Sequence, residues 1–320
     1  MKKTICVMLT IMLLISLFSG CGAADDGAIK VAIVQQLDHS SLNEIRDAVE
    51  AELLRTGEEL GLNIQCRVFN GQNDGSVLSQ IGAQVISGGY DLIIPIATQA
   101  AQSMVLAADG NIPVVYAAVS DPEGAGLTGF DNVTGTSDAL NTAYILDMMF
   151  AAQPDIQTVG LLYSNSEPNS VVPIAQAREY LEARGIAYVE KTGNTADEIL
   201  AAANALVGKA DAVFPPTDNA IMACEVTVAE ILTQAGIPHY AGADSFVTSG
   251  AFATCGVNYT ELGIKTAKMA LEILTSGTMP AHHVMEGGII TVNTQTAAAL
   301  KLDYSVFAAG TNTIKEVVTQ

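Results

Sequence analysis

The sequence predicts an α/β fold made of two doubly wound parallel-sheet lobes joined by hinge crossovers. Three observations lead there. Short, nearly continuous apolar runs alternate with stretches of helical spacing, the pattern of strands covered on both faces. The rhythm stops and starts over after residue 133. The carboxyl end of each apolar run turns abruptly into small polar residues, as in "LLYSNSEPNS" (161–170), which is where open parallel sheets bind ligands.

The elements follow in order. "IKVAIVQ" (29–35) is an apolar, β-branched strand, and "SLNEIRDAVEAELLRTG" a helix for which Ser41 and Glu44 form a capping box. Next come strand 63–70, helix 76–87, strand 91–96, helix 98–108 and strand 112–119. The second unit reads as helix 142–152, strand 158–163, helix 172–185, strand 186–191, helix 196–207, strand 211–216, helix 219–235 and strand 237–243. A further helix (261–277) and strand (287–293) are too little for a third domain and are expected to return to the first lobe. The resulting division is 29–135 with 256–290 for the N-terminal lobe and 136–255 with 291–320 for the C-terminal lobe. Hinges are expected near 132–138, 248–258 and 288–294.

Residues 1–20 read as a secretory signal: a positive "MKK" followed by an apolar core too short for a permanent span. "FSGCG" resembles a bacterial lipobox, so cleavage before Cys21 and lipidation of its sulfur are expected, with 21–28 as a flexible tether. That places the protein outside the cytoplasm, anchored to the membrane through Cys21. With 49% hydrophobic and 15% charged residues the chain is a packed globular protein, and a formal net charge of -20 argues against nucleic acid as a partner. Beyond Cys6 and Cys21, the remaining Cys66, Cys224 and Cys255 show no metal-ligand spacing and read as buried thiols.

The polar patches at strand ends are 35–41, 96–101 and 119–126 in the first lobe and 164–170, 215–220 and 242–245 in the second. Two such rims imply a cleft between them. Helix N-termini there offer free backbone N–H groups to an anion. The hydroxyls of Thr98, Ser120, Ser170 and Thr217 can donate to a carboxylate, and Asp121, Glu167, Asp218 and Asp244 can hold an ammonium. Gln36, His39, Gln99, Asn169 and Asn219 complete the candidate set. Together these residues suit a zwitterion, although Ser, Thr, Asp and Asn are also the ordinary helix caps. Tyr163, Tyr116, Phe214 and Tyr259 are the aromatic candidates for stacking.

With "VAIVQQLDHSSLNEIRDAV", "DLIIPIATQAAQ", "PVVYAAVSDPEGAGL", "NVTGTSD", "GLLYSNSEPNSV", "FPPTDNAI" and "GAFATCGVNYTELGIKTAKMALEIL" in this order, the chain resembles the substrate-binding proteins of bacterial ABC uptake systems, the group with tryptophan- and aromatic-amino-acid-binding members. The resemblance implies a type I periplasmic-binding-protein fold that closes on a small, amino-acid-like ligand. It also implies a permease and an ATPase as partners. A monomer without cofactor or metal is expected.

Catalysis finds little support. The four histidines form no zinc motif, and neither a nucleophile elbow nor a phosphate loop is present; "SEPNS" offers Glu167 beside two serines without a third member. The alternatives are a surface receptor of the same fold feeding a signalling partner, a small-molecule hydrolase, and a sugar-sensing repressor core, which would carry a basic DNA-binding N-terminus instead of this leader.

Overall fold

The computed structural model describes residues 27–308 and 314–320; the expected leader and Cys21 lie outside them. The first lobe is built on a six-stranded, all-parallel sheet. Its strands are β1 (Ile29–Gln35), β2 (Ile64–Asn70), β3 (Leu92–Ile96), β4 (Val114–Tyr116), β5 (Val133–Ser137) and β11 (His283–Val284), in the order β2-β1-β3-β4-β5-β11. Side chains alternate across it. Val31 and Ile33 of β1 pack with helices α1 (Ser40–Glu59) and α10 (Tyr259–Ser276), while Ala32 and Val34 pack with α2 (Gly75–Gly88) and α3 (Thr98–Ala108). Burial on both faces is what the unbroken apolar runs required.

The second lobe holds β6 (Thr158–Tyr163), β7 (Ala187–Thr192) and β8 (Ala212–Phe214) in the order β7-β6-β8. Beside them lie β9 (Tyr240–Ala241), β10 (Ala253–Gly256), β12 (Ile289–Asn293) and β13 (Ile314–Val317) in the order β9-β10-β12-β13. A parallel bridge from Val213 to His239 joins the two groups into one sheet. Helices α4 (Thr142–Ala152) and α5 (Val171–Ala183) cover one face over Leu161, Phe214, Tyr240 and Phe252. Helices α6 (Ala196–Leu206) and α8 (Glu225–Gln234) cover the other, over Leu162 and Val213. Two short helices, α7 (Asn219–Met222) and α9 (Asp244–Thr248), stand at the strand ends, and α11 (Thr294–Leu300) follows β12. Cys66, Cys224 and Cys255 are free thiols.

Several expectations are corrected. The 287–293 strand, seen as β12, pairs antiparallel with β10 in the second sheet instead of completing the first lobe. Residues 133–137, expected within a hinge, are a strand of the first sheet. The crossovers between sheets fall at 138–141, 257–258 and 285–288, a few residues from the expected boundaries, because an extended linker and a strand look alike in sequence. The 112–119 strand stops at Tyr116, and Ala118 beyond it takes a positive φ of 54°. The 219–235 helix breaks at Ala223–Cys224. The capping box at Ser41 and Glu44 does not form: Ser41 donates to Asp244 and Glu44 accepts from the Thr260 backbone N–H, so both residues serve tertiary contacts.

Helices α1 and α10 cross closely at Gly263. A Cβ there would stand 2.7 Å from both the Ile45 carbonyl oxygen and the Ala48 Cβ. Alanine ordinarily improves a helix interior over glycine, but here overpacking against backbone outweighs that gain. Gly263→Ala should therefore destabilise the protein by about 1–3 kcal/mol in urea melts; a stabilised variant would show that the crossing is looser than described.

Candidate functional site

The carboxyl ends of both sheets face each other across a narrow cleft lined by residues of both lobes, with a cavity volume of about 30 Å³. The first lobe contributes the turns after β1, β3, β4 and β5. At two of them a non-glycine residue is held at positive φ, Ala97 at 76° and Ala118 at 54°, and both line the cleft. Such strained backbone persists only where its surroundings impose it; here it brings a small side chain and the start of α3 to the rim. The second lobe contributes the turns after β6, β8 and β9.

Helix starts around the cleft are of two kinds. Asp218 and Asn258 cap α7 and α10 there through their side chains, as Asp74, Asn141, Thr195 and Asn293 cap α2, α4, α6 and α11 elsewhere. At the cleft, α1, α3 and α9 start at His39, Ala97 and Ala243, none of which caps through its side chain. The Gln99 N–H of α3 donates to Gln36 Oε1 at 3.2 Å; the other first-turn N–H groups of these helices are left for another acceptor.

Four buried side-chain atoms without a hydrogen-bond partner belong to residues of the same wall: His39 Nδ1, Asn169 Oδ1, Thr217 Oγ1 and Ser245 Oγ. Leaving such groups unpaired costs roughly 1–3 kcal/mol each. Two carboxylates face the cleft, and no Lys or Arg does. Asp218 is fully engaged: it accepts from the Ser164 N–H (2.7 Å), the Ser170 hydroxyl (2.7 Å) and the Ile221 N–H (3.1 Å). Asp138 accepts from Ser120 Oγ at 2.8 Å, and its other oxygen has only the Tyr259 hydroxyl, 3.5 Å away. Burial raises the pKa of Asp138, against the pull of those bonds, so a cation beside it would be held firmly. Burial also lowers the pKa of His39 to about 4, leaving a neutral ring. Leu42, Met222, Phe246 and the Tyr259 ring form the apolar part of the wall.

Of the residues selected from sequence, His39, Thr98, Ser120, Asn169, Thr217, Asp218 and Asn219 line the cleft. Gln36, Gln99 and Glu167 lie beside it in contact with one another across the two lobes. Three selections are corrected. Asp121 accepts from the Gly124 N–H and closes its own turn. The Ser170 hydroxyl is spent on Asp218. Asp244 is held by Ser41 at 3.1 Å and Lys315 at 3.2 Å. Each of these polar side chains found a protein partner nearer than the cleft. Of the aromatic candidates only Tyr259 reaches the wall: Tyr116 and Phe214 are core, and the Tyr163 hydroxyl donates to Glu190 (2.7 Å). Sequence reasoning missed Asp138, Ser245, Phe246 and Met222. Asp138 ends "NVTGTSD", an apolar-to-polar strand end like the others, and Ser245 ends the "GADS" patch, so both carried a readable signal; Phe246 and Met222 read as ordinary helix core.

The chain matches the sequence model of the ABC transporter substrate binding protein family over residues 30–306. A tyrosine-binding protein of Clostridioides difficile is 31% identical, over 94% of this chain and 93% of the relative. Among solved structures, an ABC domain from Streptococcus pneumoniae in complex with L-Trp is 27% identical, covers 91% of this chain and 100% of its own, and gives a TM-score of 0.83. The ligand-free, open structure of a substrate binding protein with adhesive properties from Clostridium difficile is 32% identical, covers 91% of this chain and 99% of its own, and gives only 0.68. The less identical but complexed structure thus superposes better, in agreement with the direct contacts between the two rims here.

His39 offers a test of this enclosure. Its ring should remain neutral on acidification and titrate near pH 4 by NMR. Because the unfolded chain binds that proton more readily, stability is present above about pH 6.5 and falls as pH drops toward 4. A midpoint at the ordinary histidine value would show that the ring is open to water.

Proposed function

The chain belongs to the ABC transporter substrate binding protein family, and on that footing we propose that its cleft captures a free amino acid with an aromatic side chain. The observation that carries this reading is the set of unpartnered buried polar atoms on residues that line one cleft, which also holds two carboxylates and no Lys or Arg. A carboxylate fits the N–H groups left open at the starts of α1, α3 and α9, of which Gln36 takes only that of Gln99, with the Thr217 and Ser245 hydroxyls as further donors. The ammonium belongs at Asp138, whose second oxygen has spare acceptor capacity, unlike the saturated Asp218. The side chain lies against Phe246, Tyr259, Met222 and Leu42. The names of the C. difficile tyrosine-binding protein and of the L-Trp complex support the aromatic choice.

Binding proceeds by closure. Each lobe alone presents half of the partners, so the ligand favours the arrangement that supplies all of them. Hydrolysis is disfavoured by the same geometry: Glu167 is bonded to amides, Ser170 to Asp218 and Ser166 to Ser164, and none of the three lines the cleft. In this reading the protein is held outside the cytoplasm through lipidated Cys21 and hands its cargo to a permease driven by an ATPase.

A thermal-shift screen of the twenty amino acids, small peptides and sugars tests the reading. Aromatic amino acids should raise the melting temperature, reaching about 2.7 kcal/mol of stabilisation at a hundredfold excess over Kd; a response to sugars alone would sink it. Asp138→Asn should weaken binding of the responding amino acid by roughly 10- to 100-fold, the loss of a charged hydrogen bond. By calorimetry the deaminated acid of the same side chain should bind wild type and variant alike.

A further inference from the structure

Glu167 is 1% exposed and stands where the lobes meet. Its Oε1 accepts from Gln36 Nε2 (3.3 Å) and Gln99 Nε2 (3.2 Å), both of the first lobe. Its Oε2 accepts from Asn219 Nδ2 (2.9 Å) of its own lobe. Gln99 Nε2 also donates to the Ser166 carbonyl at 2.9 Å, and Gln36 Oε1 accepts from the Gln99 N–H at 3.2 Å, so the two glutamines are locked together on the carboxyl. Glu167 does not line the cleft. Of these three side-chain partners, Gln36 and Gln99 belong to the opposite lobe, whereas Asn219 belongs to its own. Separating the lobes removes the two glutamines from the carboxyl and opens that side of it to water.

We propose that Glu167 is the latch of lobe closure: a positioning residue that ties the lobes without touching the ligand and enters the closed interface carrying a proton taken from solvent. This deepens, and rests on, the capture-by-closure reading above.

The surrounding charges support the proton. No Lys, Arg or His forms an ion pair with Glu167 among the described residues. On the element that carries Asn219, the ionisable group is Asp218, a second carboxylate whose pKa burial also raises but whose three donors pull it back down. On the element that carries Gln36 they are His39, neutral by burial, and Asp38, exposed and 3.6 Å from Arg46. Beyond Gln36 lies Asn73, next to Asp74, which is turned to the start of α2. The first turn of α3 brings Thr98 and Gln99 and no charge. Burial first, and then Asp218, push the Glu167 carboxyl up to about 8, while the amide donors pull the other way.

The sign follows from linkage. A carboxyl near its ordinary value in the open form and raised in the closed form takes up a proton on closing. Closure is then favoured at low pH and weakens as pH rises toward 8, by up to about tenfold per pH unit for one proton.

The experiment compares wild type, Glu167→Gln and Gln99→Ala. Calorimetric titration with L-tyrosine and L-tryptophan, in buffers of different ionisation enthalpy at pH 7, counts protons. Wild type should take up close to one more proton per ligand than Glu167→Gln, and the variant's dissociation constant should lose the corresponding slope between pH 6 and 8. Gln99→Ala should speed ligand release several-fold without slowing association, since it removes a bond made only on closure. Small-angle scattering of the ligand-free proteins adds a readout without cargo: wild type should open as pH rises from 6 to 9, and Glu167→Gln should not. Equal proton counts overturn the latch where an amino acid binds. Scattering curves that respond identically to pH in both proteins overturn it whether or not either amino acid binds. Failure of both amino acids to bind wild type, with the scattering difference intact, overturns the proposed cargo and leaves the latch standing.

Discussion

Closing two polar rims on each other withdraws their groups from water, and each group must then find a partner. This constraint organises the molecule. Most rim groups meet it internally: Asp218 by three donors, Glu167 by amides of both lobes, Asp244 by Ser41 and Lys315. The remainder, at His39, Asn169, Thr217 and Ser245, is concentrated on one cavity wall. A buried polar group without a partner is expensive, so a cavity of such groups demands an occupant that supplies the missing bonds.

On the proposed reading, the cleft recognises charge without a full opposite charge on the anionic side. A strongly acidic chain has few cations to place, and none lines the cavity. The partial positive charge at helix N-termini serves in its place, and it is available there because His39, Ala97 and Ala243 do not cap the starts of α1, α3 and α9, with Gln36 taking a single N–H of α3. Backbone dipoles are fixed by the fold and need no ordering of a long side chain, which limits the entropy lost on binding. On the cationic side, the two carboxylates divide their work. Asp218 shapes the turns after β6 and β8, and Asp138 keeps one oxygen held only by a 3.5 Å bond from the Tyr259 hydroxyl.

The apolar packing is also arranged for two states. The core of the first lobe, around Ile33, Ile45 and Leu262, runs without a break into residues of the second lobe such as Leu162, Ile221 and Phe246. The link between lobes thus combines non-directional apolar contact with directional bonds at Gln36, Gln99 and Ser41. Apolar contact favours closure whatever the ligand; the directional bonds decide the register in which the rims meet.

By itself the sequence determined the alternation of strands and helices, because burial on both faces forces continuous apolar strands. It also determined the strand ends at which a ligand would sit, because a parallel sheet delivers its loops to one edge. From those two facts the rims at 96–101, 164–170 and 215–220 could be read, and with them His39, Thr98, Ser120, Asn169, Thr217, Asp218 and Asn219. Only the tertiary structure decided which polar residue is free for a ligand. Asp121 and Asp138 look alike in sequence, as do Ser170 and Ser245; Asp121 closes its own turn while Asp138 lines the cleft with one oxygen held only by a long bond from Tyr259, and Ser170 is spent on Asp218 while the Ser245 hydroxyl has no partner. The membership of β12 in the second sheet and the bond of Glu167 to the opposite lobe likewise belong to the assembled chain. A hydrogen bond is a matter of position within a few tenths of an ångström, and residues 131 positions apart acquire their distance only when both sheets are in place.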